Sequence, residues 1–520
     1  MADVTPNRPV EPVSTDLADL CAWLGARPDC PLLEVRGGAE GVVVTGISLS
    51  SARVLPGDVY AALPGSRAHG ASYVDAAVGA GAVAVVTDPA GAEMCAETCA
   101  GVGEGTAVPV IVVRRPRQLL GDLAARVYGD PAEALTLMAV TGTQGKTTTT
   151  RLLEAGLEKA GLRAAVVGTV GTRVAGTELR TTLTTPEAPD LHALFALMRE
   201  QQVTACAMEV SSHALVMGRV DGVVFDAAAF VNLGRDHLDF HKDVEDYFLA
   251  KASLFTPERS RRGLTNVDDE HGRRLLEVAT VPMRTFSPSG ADADWRAVDV
   301  DLRPEGSSFT AIGPGGVRVE AGVPLTGTFN VANALCAIAL AAEAGLDASA
   351  VARGIVKAGG VPGRLERIDA GQDFLAVVDY AHKPDAVVAA LEALRPLTRG
   401  RLVLVLGAGG DRDTGKRPEM GAIGARLADV LVVTDDNPRS EDPATIRAAI
   451  LEGARGVSEP RAEVVELGER RTAIRHAIAL ARPGDTVLVA GKGHETGQEV
   501  GGVLHPFDDR DEVRAALEAR

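Results

Sequence analysis

The residues Thr141-Gly142-Thr143-Gln144-Gly145-Lys146-Thr147-Thr148 place two glycines, a lysine and a row of hydroxyls between an apolar run and a helical pattern. That order suits a polyphosphate. Glycines let backbone N–H groups turn inward on phosphate oxygens, and a helix N-terminus adds partial positive charge. Lys146 can neutralise the β- and γ-phosphates, and the Thr147 hydroxyl can ligate Mg²⁺. The strict phosphate-loop pattern wants Gly at position 140, where Val140 stands, so the loop is a variant. None of the six asparagines precedes a lysine, which disfavours a GTPase switch.

Further along, an apolar run delivers Glu209, Ser211, Ser212 and His213, and a second delivers Asn232, Arg235, Asp236, His237, Asp239 and His241. Carboxylate and imidazole at strand ends beside a phosphate loop suit Mg²⁺. His237 and His241 have the spacing of a helical zinc pair but no catalytic glutamate between them. Two later stretches, Gly407 to Arg412 and Gly491 to Thr496, begin like dinucleotide fingerprints and lack the final glycine. NAD is therefore rejected. They read better as loops offering Arg412 and Glu495 to a zwitterion, joined by the donor–acceptor cluster Asp435-Asp436-Asn437-Pro438-Arg439.

Something must hold these groups at strand ends. Short β-branched runs alternate with Ala/Leu-rich helical stretches, which argues for βαβ units and mostly parallel sheets. The fold class read from this is α/β in three domains, with a central phosphate-loop domain and a Rossmann-like C-terminal domain. The expected boundaries are 1–134 (with 1–15 a loose tail), 135–361 and 362–520, the last opening at a hinge over Gly359 to Gly363. Strands are expected at Val42 to Ser48, Asp58 to Leu63 and Val83 to Val86, with a helix near Ala71 to Val78. The middle block should hold strands Leu135 to Thr141, Ala164 to Val167, Thr204 to Met208 and Val223 to Val231, and a helix from Thr148 to Ala160. The last block should hold Phe374 to Val378, Arg401 to Leu406, Val430 to Thr434 and Thr486 to Ala490. Ligands of such sheets lie at the carboxyl ends of strands.

Composition narrows the rest. The 520 residues carry a net charge of −17, which repels phosphate backbones and disfavours general nucleic-acid binding. No apolar run approaches a membrane span, and Met1 to Thr15 lacks the regions of a signal peptide. Six scattered cysteines fit reduced thiols in the cytoplasm; Cys95 and Cys99 lack a second zinc-ligand pair.

Here the motifs carry a resemblance. The phosphate loop, Ala207-Met208-Glu209-Val210-Ser211-Ser212-His213, Asp236-His237-Leu238-Asp239, Gly327-Thr328-Phe329-Asn330, Gly363-Arg364, Asp379-Tyr380-Ala381-His382, Gly409-Gly410-Asp411-Arg412-Asp413, Asp436-Asn437-Pro438-Arg439 and Gly491-Lys492-Gly493-His494-Glu495 follow in order. Over about residues 42 to 510 the chain resembles the Mur ligases, most closely the branch that adds diaminopimelate.

The resemblance implies ATP- and Mg²⁺-dependent amide-bond synthesis on UDP-N-acetylmuramoyl-L-alanyl-D-glutamate, through an acyl phosphate, in peptidoglycan biosynthesis. It implies a cytoplasmic monomer whose partners are small molecules, with no nucleic acid and no membrane span. Gly142, Thr143, Gln144, Gly145, Lys146, Thr147 and Thr148, with Asn330 and Arg364, would hold ATP. Leu49, Ser51, Ser66, Arg67 and Ala68 would meet the UDP moiety, and Thr184, Thr185, Ser211 and Arg219 the muramoyl-peptide portion. Arg412, Asp436, Asn437, Pro438, Arg439, Gly491 and Glu495 would hold diaminopimelate, with the Arg439 fork on the distal carboxylate that lysine lacks. Thr147 and Glu209 would hold one Mg²⁺, and His237 would help hold a second. Lys146, Lys251 and His237 are the catalytic candidates, with Lys251 carbamylated and the carbamate an additional metal ligand; that modification needs a neutral amine, hence a depressed pKa. Gln144 stands where an Asn is usual, and Met217 where some members have Gln. The alternatives are a lysine-adding relative, a folylpolyglutamate synthase and, outside enzymes, a nucleotide-binding regulatory protein.

Overall fold

The computed structural model describes residues 7–28, 32–100, 107–459 and 462–520. Three large sheets and two two-stranded ones carry the described strands. A five-stranded sheet runs in the order Leu32–Arg36, Val110–Val113, Ala84–Thr87, Asp58–Ala62, Gly46–Ser48, parallel except at its first pair. An eleven-stranded sheet forms the middle. Its strands Ala164–Val167, Ala205–Glu209, Thr136–Thr141, Ala227–Phe230, Gly263–Asn266, Met283–Ser287 and Trp295–Arg303 are parallel neighbours, and antiparallel strands extend both edges. A six-stranded C-terminal sheet orders Glu366–Arg367, Leu375–Asp379, Thr486–Ala490, Leu402–Leu406, Val430–Val433 and Glu463–Glu466.

The central strand Thr136–Thr141 shows why these runs fold as buried parallel strands. Successive side chains point to opposite faces. Met138 and Val140 join one buried cluster with Leu152, Leu153 and Leu335, under helices Lys146–Lys159 and Thr328–Glu343. Leu137 and Ala139 join another with Leu194, Phe195 and Phe248, under helices Ala188–Glu200 and Val244–Ala252. Both faces are dry, so the polar residues are pushed to the strand ends.

Strands Ala164–Val167 and Thr486–Ala490 fall where the sequence reading put them, and most others differ by one or two residues at an end. The expected strand Val42 to Ser48 is instead two: Val43–Val44 pairs with Thr15–Asp16, and Gly46–Ser48 with Asp58–Ala62. The break falls at Thr45, whose amide donates to the Gly57 carbonyl at 2.9 Å, just before Gly46, where an added Cβ would strike the Arg8 and Asp58 side chains. The expected strand Val223 to Val231 shrinks to Ala227–Phe230, since Gly222 turns with φ 77° and the Asp226 carboxylate accepts from the Leu137 amide instead. The expected helix at Ala71 to Val78 begins as a 3₁₀ turn, Gly70–Tyr73, and becomes α-helical over Val74–Gly79.

The loose tail is also corrected. From Asn7 the chain is anchored: Arg8 pairs with Asp58 and donates to the Ile47 carbonyl at 3.1 Å. The amides of Val10 and Glu11 donate to the Glu200 carboxylate at 3.0 and 2.7 Å, tying the first unit to the central one. At the expected hinge, Gly363 is not free. It has φ 64°, its carbonyl accepts from the Tyr380 amide at 2.9 Å, and a Cβ there would strike Gly493 and His494.

Cys30 lies outside the described residues; Cys21, Cys95, Cys99, Cys206 and Cys336 are free thiols. Among the described residues no helix is long and apolar enough to cross a membrane, and no group of three or more His, Cys, Asp or Glu could hold a metal ion. His237 and His241 are not a helical pair: the helix begins at Val244, and buried His241 is engaged by Ser212 at 2.9 Å and Asp246 at 3.1 Å.

One buried ion pair fixes the C-terminal strand ends. Arg470 and Asp509 are both 0 % exposed at their side chains, and two nitrogens of Arg470 donate to Asp509, each at 2.7 Å. The same guanidinium donates to the Asp435 carbonyl at 3.3 Å and the Ala490 carbonyl at 3.0 Å. It thus staples the strands that end in Asp436 and Gly491. Removing one partner strands a buried charge, so Asp509→Ala should destabilise the C-terminal unit by about 3–5 kcal/mol in urea unfolding. Replacing both by apolar residues of similar volume, Arg470→Met with Asp509→Leu, should recover most of that loss.

Candidate active site

The central strand Thr136–Thr141 leads into the glycine loop, and helix Lys146–Lys159 leaves it. Gly145 has φ 85°, a conformation favouring glycine, and a Cβ there would meet the Asn333 amide oxygen at 2.5 Å. The loop is held from the neighbouring strand. The Asn232 side-chain oxygen accepts from the amides of Thr143 at 3.1 Å and Gln144 at 2.9 Å, and its NH₂ donates back to the Gln144 carbonyl at 3.2 Å.

Two amines meet at one loop carbonyl. The Gly142 oxygen accepts from Lys146 Nζ at 2.7 Å and from Lys251 Nζ at 2.9 Å. Burial pushes the Lys146 amine down to about 8, with Glu209 opposing and Lys383 adding to the fall. Lys251, 1 % exposed, lies well below its ordinary value through burial and the repulsion of Lys146. Its amine also lies over the Tyr247 ring, 4.5 Å from the centroid.

Around this pair one cavity of about 690 Å³ collects most of the expected residues. Thr143, Gln144, Gly145, Lys146, Thr147, Thr148, Thr184, Thr185, Glu209, Ser211, Arg219, His237, Asn330, Arg364 and Arg412 line it. Gly142 and Lys251 lie behind that wall. Glu209 is buried, its two oxygens accepting from the Thr169 amide at 2.8 Å and hydroxyl at 3.0 Å. The Thr147 hydroxyl accepts from Arg364 at 3.2 Å, and Arg364 stacks on Tyr380. Arg219 reaches Glu187 at 2.8 Å.

His237 stands at φ 55°, with Nε2 3.0 Å from Asp236, and burial lowers its ring to about 4, so it is neutral near pH 7. Burial works against charge on Asp236, yet Lys383 and His237 hold its carboxyl below the usual range. The ring of His213, which also lines the cavity, stacks on Phe240 at 4.0 Å.

The remaining expected residues form a neighbouring cluster at the C-terminal strand ends. Asn437 donates to Glu495 at 2.8 Å, and buried Lys492 donates to Asn437 at 3.0 Å and Glu495 at 3.2 Å. A Cβ at Gly491 would meet Asp436 at 3.0 Å. Pro438 leads into Arg439, which has φ 54°, donates to the Gly410 carbonyl at 2.6 Å and lies 3.7 Å from Glu499. One Asp436 oxygen is buried without a hydrogen-bond partner. Leu49, Ser51, Ser66, Arg67 and Ala68 are not brought to the cavity; they follow the adjacent parallel strands Gly46–Ser48 and Asp58–Ala62 in the first unit.

Asn333, Thr169 and Lys383 are not named by the sequence reading; Asn232, Asp236 and Asp379 are named at strand ends or in motifs but given no role of their own. Asn232, Asp236 and Asp379 had a signal, since each stands at or just past a strand end. Thr169 and Asn333 act through neighbours distant in sequence, which spacing does not reveal.

The chain matches three family models: Mur ligase family, catalytic domain, over residues 43–128; Mur ligase middle domain over 140–341; and Mur ligase, glutamate ligase domain, over 363–493. It is 54% identical over 99% of its length to the UDP-N-acetylmuramoyl-L-alanyl-D-glutamate–2,6-diaminopimelate ligase of Streptomyces avermitilis, covering 98% of that protein. To the UDP-N-acetylmuramyl-tripeptide synthetase of Leifsonia xyli it is 46% identical, covering 98% of this chain and 97% of that one. A solved UDP-N-acetylmuramoyl-L-alanyl-D-glutamate–2,6-diaminopimelate ligase superposes with TM-score 0.66 at 34% identity, over 94% of this chain and 97% of its own. A folylpolyglutamate synthase of Mycobacterium tuberculosis complexed with ADP and AMPPCP, at 19% identity, TM-score 0.57, 72% coverage of this chain and 92% of its own, shares the fold.

The loop's shape depends on one side chain from another strand. Asn232→Ala removes two acceptor contacts from loop amides and should weaken ATP-analogue binding about tenfold or more in a fluorescence titration, with the melting temperature shifted only slightly.

Proposed function

The chain belongs to the Mur ligase family, and from that premise we infer its working: it is an ATP-dependent ligase that adds diaminopimelate to UDP-N-acetylmuramoyl-L-alanyl-D-glutamate in peptidoglycan synthesis. The observation that carries this reading is the single cavity that joins the phosphate loop, the Thr184–Ser211–Arg219 group and Arg412 of the C-terminal unit.

A carboxylate is a poor acyl donor because its leaving group would be oxide. Attack of the substrate carboxylate on the γ-phosphorus releases ADP and leaves an acyl phosphate. The amine then attacks the acyl carbon through a tetrahedral intermediate, and phosphate departs. Most of this work is positioning and neutralising charge. Lys146 and the loop amides hold the triphosphate, with Arg364 and Asn330 at its border. Thr184, Thr185, Ser211 and Arg219 orient the muramoyl-peptide, and the loops after Ser48 and Ala62, with Leu49, Ser51, Ser66, Arg67 and Ala68, receive the UDP.

Mg²⁺ fits the donor set. Thr147 and Glu209 offer hard oxygens in one cavity, and each Glu209 oxygen has a lone pair beyond its bond to Thr169. When bound, the ion adds charge neutralisation on the phosphates. His237, neutral and half-exposed, is suited to a second ion. A Lys251 amine kept neutral by burial can take up CO₂, and the carbamate anion would face Lys146. Lys251→Ala should be nearly inactive and partly restored by short carboxylates; turnover at the unmodified rate would remove the carbamate from the scheme.

In the C-terminal cluster the amino acid's ammonium falls to Glu495 and the free oxygen of Asp436, with Asn437, Pro438 and Gly491 shaping the pocket. Arg412 and the Arg439 fork take carboxylates. Lysine would leave that guanidinium only its contacts with the Gly410 carbonyl and Glu499 and no substrate carboxylate, and sites built on polar contacts reject such analogues by roughly 10⁴-fold. ADP release at saturating dipeptide substrate should therefore favour diaminopimelate over lysine by about that ratio. Arg439→Ala should cost about 2–4 kcal/mol of diaminopimelate affinity and leave dipeptide binding unchanged. Equal use of lysine would redirect the assignment to a lysine-adding relative.

A further inference from the structure

The first and central units are joined by many polar contacts. Arg53 donates two hydrogen bonds to the Asp190 carboxylate at 2.8 and 3.0 Å, Arg117 reaches Glu187 at 2.7 Å, and Arg199 donates to the Tyr128 and Gly129 carbonyls. The C-terminal unit meets the phosphate-loop side across the cavity with less. Arg364 reaches Thr147, the Phe329 side chain packs against the C-terminal core, and Lys383 pairs with Asp236.

Lys383 is unlike the other cavity cations. It caps helix Pro384–Leu394 of the C-terminal unit, while Asp236 belongs to the loop following strand Ala227–Phe230 of the central unit. The two side chains are only 19% and 15% exposed. The same Asp236 oxygen that takes Lys383 also lies 3.0 Å from His237 Nε2, so the contact reaches the edge of the chemistry. The turn carrying Lys383 is braced from behind, since Lys416 donates to the His382 carbonyl at 2.9 Å. Beside it, a Cβ on Gly234 would come 3.3 Å from Asp385, so helix end and loop are already in near contact. The chain leading into the C-terminal unit bends at Gly360, φ 88°, with open space around Gly359.

We propose that Lys383 is a positioning residue that latches the C-terminal unit onto the central one through Asp236, so that the amine bound by the former is presented to the acyl phosphate held by the latter. The inference rests on the ligase reading above. Lys383 touches neither reacting atom; it fixes the distance between two sites built on separate sheets. A misplacement of about 1 Å between such sites can cost 10²-fold in rate.

The test compares the full-length protein with Lys383→Met and Lys383→Arg. Small-angle scattering with a non-hydrolysable ATP analogue should give a larger radius of gyration for Lys383→Met than for the parent or Lys383→Arg. In the ligase assay, kcat/KM for diaminopimelate should fall at least tenfold in Lys383→Met and stay within about threefold in Lys383→Arg. ATP-analogue affinity and melting temperature should be unchanged in both. A compact Lys383→Met would overturn the latch, as would full activity in that variant. Weaker ATP-analogue binding without expansion would also overturn it, assigning Lys383 to the phosphates instead. If the parent makes no tripeptide from diaminopimelate, the ligase reading fails, while the scattering comparison still decides whether Lys383 holds the units together.

Discussion

Two buried lysine amines share the carbonyl oxygen of Gly142, and the rest of the site is arranged around that conflict. Like charges this close in a low-dielectric pocket cannot both persist cheaply. Arg364 and Lys383 add further positive charge to the same cavity, against Glu209, Asp236 and Asp379. The protein alone relieves the conflict by weakening protons on the amines: Lys146 falls to about 8, and burial and the neighbouring Lys146 hold Lys251 well below its ordinary value. A triphosphate relieves it differently, by supplying anionic oxygens to Lys146. Lys251 then has no need to be a cation, which is the condition for becoming a carbamate anion. In the proposed scheme that one constraint would prepare one lysine for phosphate and the other for chemistry on its nitrogen.

Such a crowd of charge can stand only where backbone geometry forces it. The central parallel sheet is dry on both faces, so polar groups accumulate at strand ends: the glycine loop after Thr141, Glu209 ending its own strand, Asn232 and Asp236 past Phe230. The C-terminal sheet repeats the rule with Asp379, Asp436 and Gly491. Facing these two sets of strand ends across one cavity brings phosphate chemistry and amino-acid recognition together without placing both on one sheet.

Much of this was legible in the sequence because the signals were local. The phosphate loop shows its function in eight consecutive residues, and continuous apolar runs such as Thr486–Ala490 announce strands buried on both faces. The strands from Gly263 to Val323 were not read, for the opposite reason. Trp295–Arg303 is buried only at Trp295 and Ala297 and exposed from Asp299 onward, and Gly263–Asn266 has a glycine, a threonine and an asparagine in four positions. Their strand character comes from pairing with neighbours rather than from propensity. Residues 1–15 read as a tail because three prolines and no periodicity hide the contacts of Arg8, Val10, Glu11 and Thr15 with Asp58, Glu200 and Val44, all distant in sequence. In the site, Lys383 goes unnamed and Asn232 is named without its part in holding the loop, because their partners lie 147 and 88 residues away, respectively.

The two junctions of the chain differ in kind, and the chemistry gives a reason. On the proposed site assignment, a nucleotide-sugar substrate spanning the first and central units would need those units in fixed register before any reaction begins. Bidentate Arg53–Asp190 and the amides of Val10 and Glu11 on Glu200 supply a rigid seam. The amine, by contrast, must reach an acyl phosphate that exists only after ATP has reacted, and water must be kept from it meanwhile. A C-terminal unit carried on Gly359 and Gly360 and held by a few polar contacts at the cavity is suited to arriving and leaving. Packing the two units through a broad apolar face would fix the geometry equally well but would trap ADP and product behind it. On the proposed reading, the sparse, charged junction is the arrangement that would let one site both close on a reactive intermediate and open again.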